Sequence, residues 1–106
     1  MSENNKIRKL SEDELEDVNG GVDGAQRGYQ YFRANTATPF RSNPWWKDGN
    51  TISTVSAGER IYSEGITNPG TLENGESCLY INCKINATWG WIRADHLDSD
   101  EFIGYK

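Results

Sequence analysis

The sequence predicts an all-β domain, a sandwich or small barrel, preceded by a short segment of different composition. Beyond residue 21 the chain breaks into brief runs of β-type residues separated by turn dipeptides. From Ser77 to Ile85 the side chains alternate between apolar and polar, and no long stretch repeats apolar residues at helical spacing. All 12 aromatic residues, both cysteines and all three prolines follow Gly21, so only that part can build a core. A chain of 106 residues holds one such core and leaves no room for a second sizeable domain.

Residues Met1 to Gly21 carry six acidic and three basic side chains, a net charge of −3, with almost nothing to bury. Such a composition does not offset its own ordering entropy. Within it, Ser11-Glu12-Asp13-Glu14 fits a capping box, with Leu10 and Leu15 placed as a hydrophobic staple and Val18 on the same face. Acidic residues in the first turn suit the helix dipole, and Asn19-Gly20 suits a left-handed exit. The expected helix has about two turns, too few to persist alone in water. The segment is therefore expected to be disordered or transiently helical, with Leu10, Leu15 and Val18 as anchors for a groove on a partner.

Residues 22–37 read as a linker or an extra edge strand, because Tyr29, Tyr31 and Phe32 form a small patch in a polar stretch. Thr51 to Ser56 and Glu59 to Glu64 are β-type runs around Ala57-Gly58, and Asp48-Gly49 and Asn74-Gly75 are turn dipeptides. In the next strand Leu79, Ile81, Cys83 and Ile85 share one face, and Cys78, Tyr80, Asn82 and Lys84 the other. A turn at Asn86-Ala87-Thr88 leads into Trp89-Gly90-Trp91-Ile92-Arg93, with Trp91 expected inside. Residues 99–106 form an acidic tail, packed back on the domain or loose.

Eleven basic against 16 acidic residues leave a net charge of −5, the wrong sign for phosphate backbones or anionic lipid, so nucleic acid is not an expected partner. No stretch approaches the roughly 20 apolar residues of a membrane-spanning helix, and the N-terminus lacks the apolar run of a general secretory signal. Cys78 and Cys83, five apart, would point to opposite faces of a regular strand about 16 Å apart. A disulfide between them needs a bulge or bend; otherwise a buried Cys83 and a half-exposed Cys78 are expected. Two cysteines and the lone His96 do not make a zinc set, and nothing around them matches a catalytic signature, so no metal, cofactor or enzymatic activity is expected. Trp45, Trp46, Tyr62, Tyr80 and Trp89 could line a groove for an extended peptide.

The run Leu10-Ser11-x-x-Glu14-Leu15-x-x-Val18-x-Gly20-Gly21 closely resembles the double-glycine leader of bacteriocin-type precursors. These are exported from the bacterial cytoplasm by ABC transporters that carry a papain-like cysteine peptidase. The resemblance implies that the peptidase binds Leu10, Leu15 and Val18, with Glu14 in the cap, and cuts between Gly21 and Val22. A narrow peptidase cleft admits backbone most easily where no Cβ is present, which gives Gly20 and Gly21 a physical role.

Phe40-Arg41-Ser42-Asn43-Pro44, then Ala57-Gly58-Glu59-Arg60-Ile61, Leu79-Tyr80-Ile81, and Gly90-Trp91-Ile92 with Asp95-His96-Leu97 resemble a bacterial Src-homology-3-like domain over residues 38–98. Leu79 stands where that family often has tryptophan, and the stretch from Ile66 to Glu76 is a long insertion. The resemblance implies a small β-barrel, with peptidoglycan or a cell-surface peptide as the ligand class. The reading of the whole is a precursor secreted by the transporter: leader 1–21, then cargo acting as a bacteriocin or, alternatively, as a wall-binding or signalling module.

Burying one leucine is worth roughly 1.5–3 kcal/mol. Leu15→Ala is therefore expected to weaken leader binding to the cognate peptidase about tenfold or more. Gly20→Val should leave binding largely intact and stop cleavage. Peptidase kinetics on the full chain check both, and equal cleavage of wild type and Gly20→Val would remove the leader assignment.

Overall fold

The computed structural model describes residues 9–11, 13–15 and 26–105. Among them the chain is all-β, with one turn of 3-10 helix at Ala94–His96 and no α-helix. Strands β1 (Lys9–Ser11) and β2 (Asp13–Leu15) pair only as a minimal antiparallel ribbon. They occupy the place where the capping box predicts a first helical turn. A two-turn helix without a docked partner does not recover its nucleation cost, and a three-residue ribbon is equally marginal. Val18, Gly20, Gly21 and Val22 lie outside the described residues.

The other strands are β3 (Tyr29–Ala34), β4 (Thr38–Arg41), β5 (Thr51–Val55), β6 (Arg60–Ser63), β7 (Thr67–Thr71), β8 (Ser77–Ile85), β9 (Thr88–Arg93) and β10 (Leu97–Gly104). They form one antiparallel sheet in the order β10-β3-β6-β8-β9-β4-β5, with β7 also paired to β8. The sheet gathers Phe32, Phe40, Val55, Ile61, Ile81, Cys83, Ile92 and Leu97 into a single core, an arrangement compatible with a small barrel. Period-two alternation supplies each strand's share: Phe32 and Ala34 from β3, Ile81 and Cys83 from β8, with Leu79 and Ile85 packed against them. Full burial of each large apolar side chain contributes roughly 1.5–3 kcal/mol.

Three expectations change. Residues 29–34 are neither linker nor edge: β3 sits between β10 and β6, because Phe32 and Ala34 point into the core. Trp91 is half-buried on the outer face of β9, where Gly90 and Ile92 face inward. The long insertion supplies β7, which pairs residue for residue with Ser77–Ile81 although it contains Asn68, Pro69 and Gly70. A proline is tolerated on such a strand, which pairs with no strand but β8 among the described residues.

The sheet ends at β5 on one side and at β10 on the other. Irregular register sets Asp100 and Ile103 out of pairing on β10, and Arg60 holds this strand through Asp100 at 2.6 Å and Glu101 at 2.5 Å. Arg33 adds a longer contact to Asp100 at 3.3 Å. These exposed pairs fix geometry more than they stabilise, and charge along an edge discourages pairing with another chain. At the crossing from β6 to β7, the buried Ser63 hydroxyl donates to the Asn82 carbonyl at 2.6 Å and accepts from the Gly65 amide at 2.9 Å. The Asn82 side-chain oxygen accepts from the Ile66 amide at 3.0 Å.

The β8–β9 hairpin closes in two residues, Asn86 and Ala87, both left-handed at φ 51° and 65°. Asparagine tolerates that region, whereas alanine is held there at a cost of roughly 1–2 kcal/mol. Ala87→Gly is expected to raise stability by about 0.5–1 kcal/mol after the entropy of glycine is subtracted. Thermal or denaturant unfolding measures this, and a lowered midpoint would contradict the backbone conformation at Ala87.

Candidate functional site

Alternation places Tyr29, Tyr31, Tyr62, Lys84 and Trp89 on the sheet face opposite the core. The register then lines four of them up. Tyr31 pairs with Tyr62, Tyr62 with Lys84, and Lys84 with Trp89, so one row crosses β3, β6, β8 and β9. Strand spacing makes it about 14 Å long. Tyr31 and Tyr62 meet edge to face at 5.5 Å, Tyr62 and Trp89 are tilted at 6.1 Å, and Tyr29 stacks on Tyr62 at 6.5 Å.

Cations lie over both ends of the row. The Arg60 guanidinium sits 3.8 Å above the Tyr31 ring, and Lys84 Nζ lies 5.9 Å from the Trp89 ring centre. Arg60 is already engaged by Asp100 and Glu101, whose contact holds the Asp100 carboxyl below the usual carboxylate range. Tyr29 and Trp89 remain about two-fifths exposed. A ridge of tilted rings with a cation beside it presents apolar area and a charge to an extended ligand.

The five aromatics expected to share a groove divide among three places. Tyr62 and Trp89 belong to the row. Tyr80 is only 1% exposed, four residues further along β8 or about 13 Å away, and its hydroxyl donates to the Thr71 carbonyl at 2.8 Å. A Cβ on Gly70 would stand 3.1 Å from the Tyr80 ring and 1.9 Å from the Pro44 carbonyl oxygen, so glycine is what allows these segments to meet. Trp46 joins the Tyr80 side, its amide donating to the same Thr71 carbonyl at 2.8 Å. Trp45 is exposed on the β4–β5 loop, where its carbonyl accepts from Asn50 at 2.8 Å. Tyr29 and Tyr31 were legible as an alternating pair, but which strand they face is set only by the β3–β6 register.

Cys78 and Cys83 are both free thiols, and unbroken register along β8 gives no bend to bring them together. Burial raises Cys83 far above an ordinary thiol, and Cys78 upward as well. His96 Nδ1 lies 2.8 Å from the Thr38 hydroxyl, and burial first, then the Arg93 charge, lowers its pKa. Neutral His96 is the form the fold prefers, so its contribution to stability is lost as pH falls below its ordinary value of 6.5. Among the described residues, no cluster of three or more histidine, cysteine or acidic side chains could hold a metal ion.

No family model, no curated protein and no solved structure matches this chain. In the native protein a thiol reagent is expected to modify Cys78 alone, more slowly than a free thiol at the same pH. Cys83 should react only after denaturation. Mass spectrometry of the labelled chain reads both sites, and an unreactive denatured protein would instead indicate a bridge.

Proposed function

We propose that the chain is the ribosomal precursor of a secreted bacteriocin-like product, a substrate of a peptidase-containing ABC transporter and not an enzyme. The observation that carries this reading is the order Leu10, Glu14, Leu15, Val18, Gly20, Gly21 directly ahead of the folding domain. Residues 1–21 serve as the leader, docking through the three apolar anchors with the acidic first turn capping a helix formed on the partner. Cleavage after Gly21 releases a cargo that begins at Val22. Among the described residues the hydrophobic core runs from Phe32 to Leu97, within the proposed cargo.

The cargo is read as an Src-homology-3-like barrel, on the order of its strand motifs and the single antiparallel sheet around one core. A second role for it, binding peptidoglycan or a cell-surface peptide, is favoured by the exposed Tyr29-Tyr31-Tyr62-Trp89 ridge.

Intact-mass analysis of culture supernatant from the native host is expected to find a product starting at Val22. A secreted chain that retains Met1, or no secreted product, would remove the export reading. Purified 22–106 then separates the two roles: growth-inhibition zones without retention on peptidoglycan identify an antagonist, and retention without killing identifies a wall-binding module.

A further inference from the structure

Away from the aromatic ridge, a cleft of about 370 Å³ opens where β4, β8 and β9 meet the Leu72–Asn74 turn. Pro39, Leu72 and Tyr80 give it apolar surface, Arg41 and Arg93 bring positive charge to it, and the exposed Glu73 also lines it. Alternation explains the convergence. Phe40 turns into the core, so Pro39 and Arg41 turn out; Tyr80 pairs across β8–β9 with Arg93.

The two guanidinium groups are not equivalent. Arg93 is committed to Asp95 in a two-pronged contact at 2.7 and 2.6 Å, which lowers the Asp95 pKa and neutralises the pair. Arg41 instead donates through Nη1 to the Asn50 side-chain oxygen at 3.1 Å and the Thr51 hydroxyl at 2.8 Å. Both acceptors are neutral, and Arg41 forms no ion pair among the described residues. Asn50 is buried, and its amide nitrogen donates to the Trp45 carbonyl, which aims its oxygen at Arg41. The guanidinium is thus held in one orientation by groups that leave its charge uncompensated.

Tyr80 and its neighbour Cys78 add no negative charge. Burial raises both the Tyr80 hydroxyl and the neighbouring Cys78 thiol, so both stay protonated near neutral pH. A single oriented fork with one uncompensated positive charge matches a planar monoanion. A phosphate dianion would need a second free cation, and Glu73 in the lining opposes it more strongly than it opposes a monoanion. The volume takes a fragment of a few residues, and the apolar sides suit short aliphatic side chains.

We propose that this cleft binds the free C-terminal carboxylate of a short aliphatic peptide, with Arg41 as the anchoring residue. The proposal stands apart from the export reading, since it rests on the folded domain alone. It is tested by titrating the full chain with acetyl-Ala-Ala, its C-terminal amide and inorganic phosphate, following backbone amide resonances.

The free acid should produce saturable shifts at Arg41, Leu72 and Tyr80 in the millimolar range, while the amide and phosphate produce none that saturate. Arg41→Gln should weaken binding by about tenfold or more. Glu73→Gln, at an exposed lining residue, should tighten it about twofold by removing a screened repulsion. Ile103→Ser, on the exposed edge strand β10, should leave it unchanged. Retained dispersion of the Arg41→Gln spectrum separates loss of binding from loss of fold. Equal shifts with acid and amide, tighter binding of phosphate, or no saturable shift with any probe would overturn the proposal.

Discussion

Strand β8 carries a double burden on which the rest of the domain depends. One face of Ser77–Ile85 feeds Ile81 and Cys83 into the core, and the other presents Tyr80, Asn82 and Lys84 to everything that lies outside it. Because side chains alternate with a period of two, a slip by one residue would exchange the two sets. Lys84 would then be driven into the core while Ile81 and Cys83 faced water. Pairing with β9 along six consecutive positions and with β7 along five holds the strand against that slip.

The close contacts around β8 are set by residues without side chains as much as by those with large ones. A Cβ at Gly90 would meet the Arg41 carbonyl at 2.6 Å and the Phe40 ring at 2.7 Å, so β4 approaches β9 only because that position is bare. Gly70 has the same function between the β7 backbone and Pro44. The Ser63–Asn82 network serves the polar side of this packing: it satisfies backbone groups where the chain leaves β6, in a place where water cannot. Fixing β8 in this way also fixes what its outer face can present. The aromatic ridge gathers around Lys84 and the Arg41 cleft around Tyr80, and about 13 Å of strand keeps them separate.

Much of this was legible in the sequence. Among the described residues the core falls within the aromatic-rich part of the chain that follows Gly21. Alternation over Ser77–Ile85 gave the inner and outer sets correctly, and Asn74-Gly75 and Asn86-Ala87 marked real turns. Other features carried no local signal. The segment Thr67–Thr71 has poor β-propensity and becomes a strand because β8 offers it a partner. Trp91 was expected inside on hydrophobicity alone, but its neighbours Gly90 and Ile92 take the inward positions that register allots.

The amino-acid order by itself determined that the domain is all-β and which residues share a face of its longest strand. These are consequences of backbone periodicity, turn stereochemistry and composition, all of which act within a few residues. Tertiary structure decided which strands lie side by side. It thereby decided that Tyr31, Tyr62 and Trp89 form a ridge, that Tyr80 is withdrawn from it, and that Arg41 faces a cleft beside Arg93. Neighbourhood across a sheet is a long-range property: Arg41 and Trp91, 50 positions apart, meet only when the register of the whole sheet is fixed.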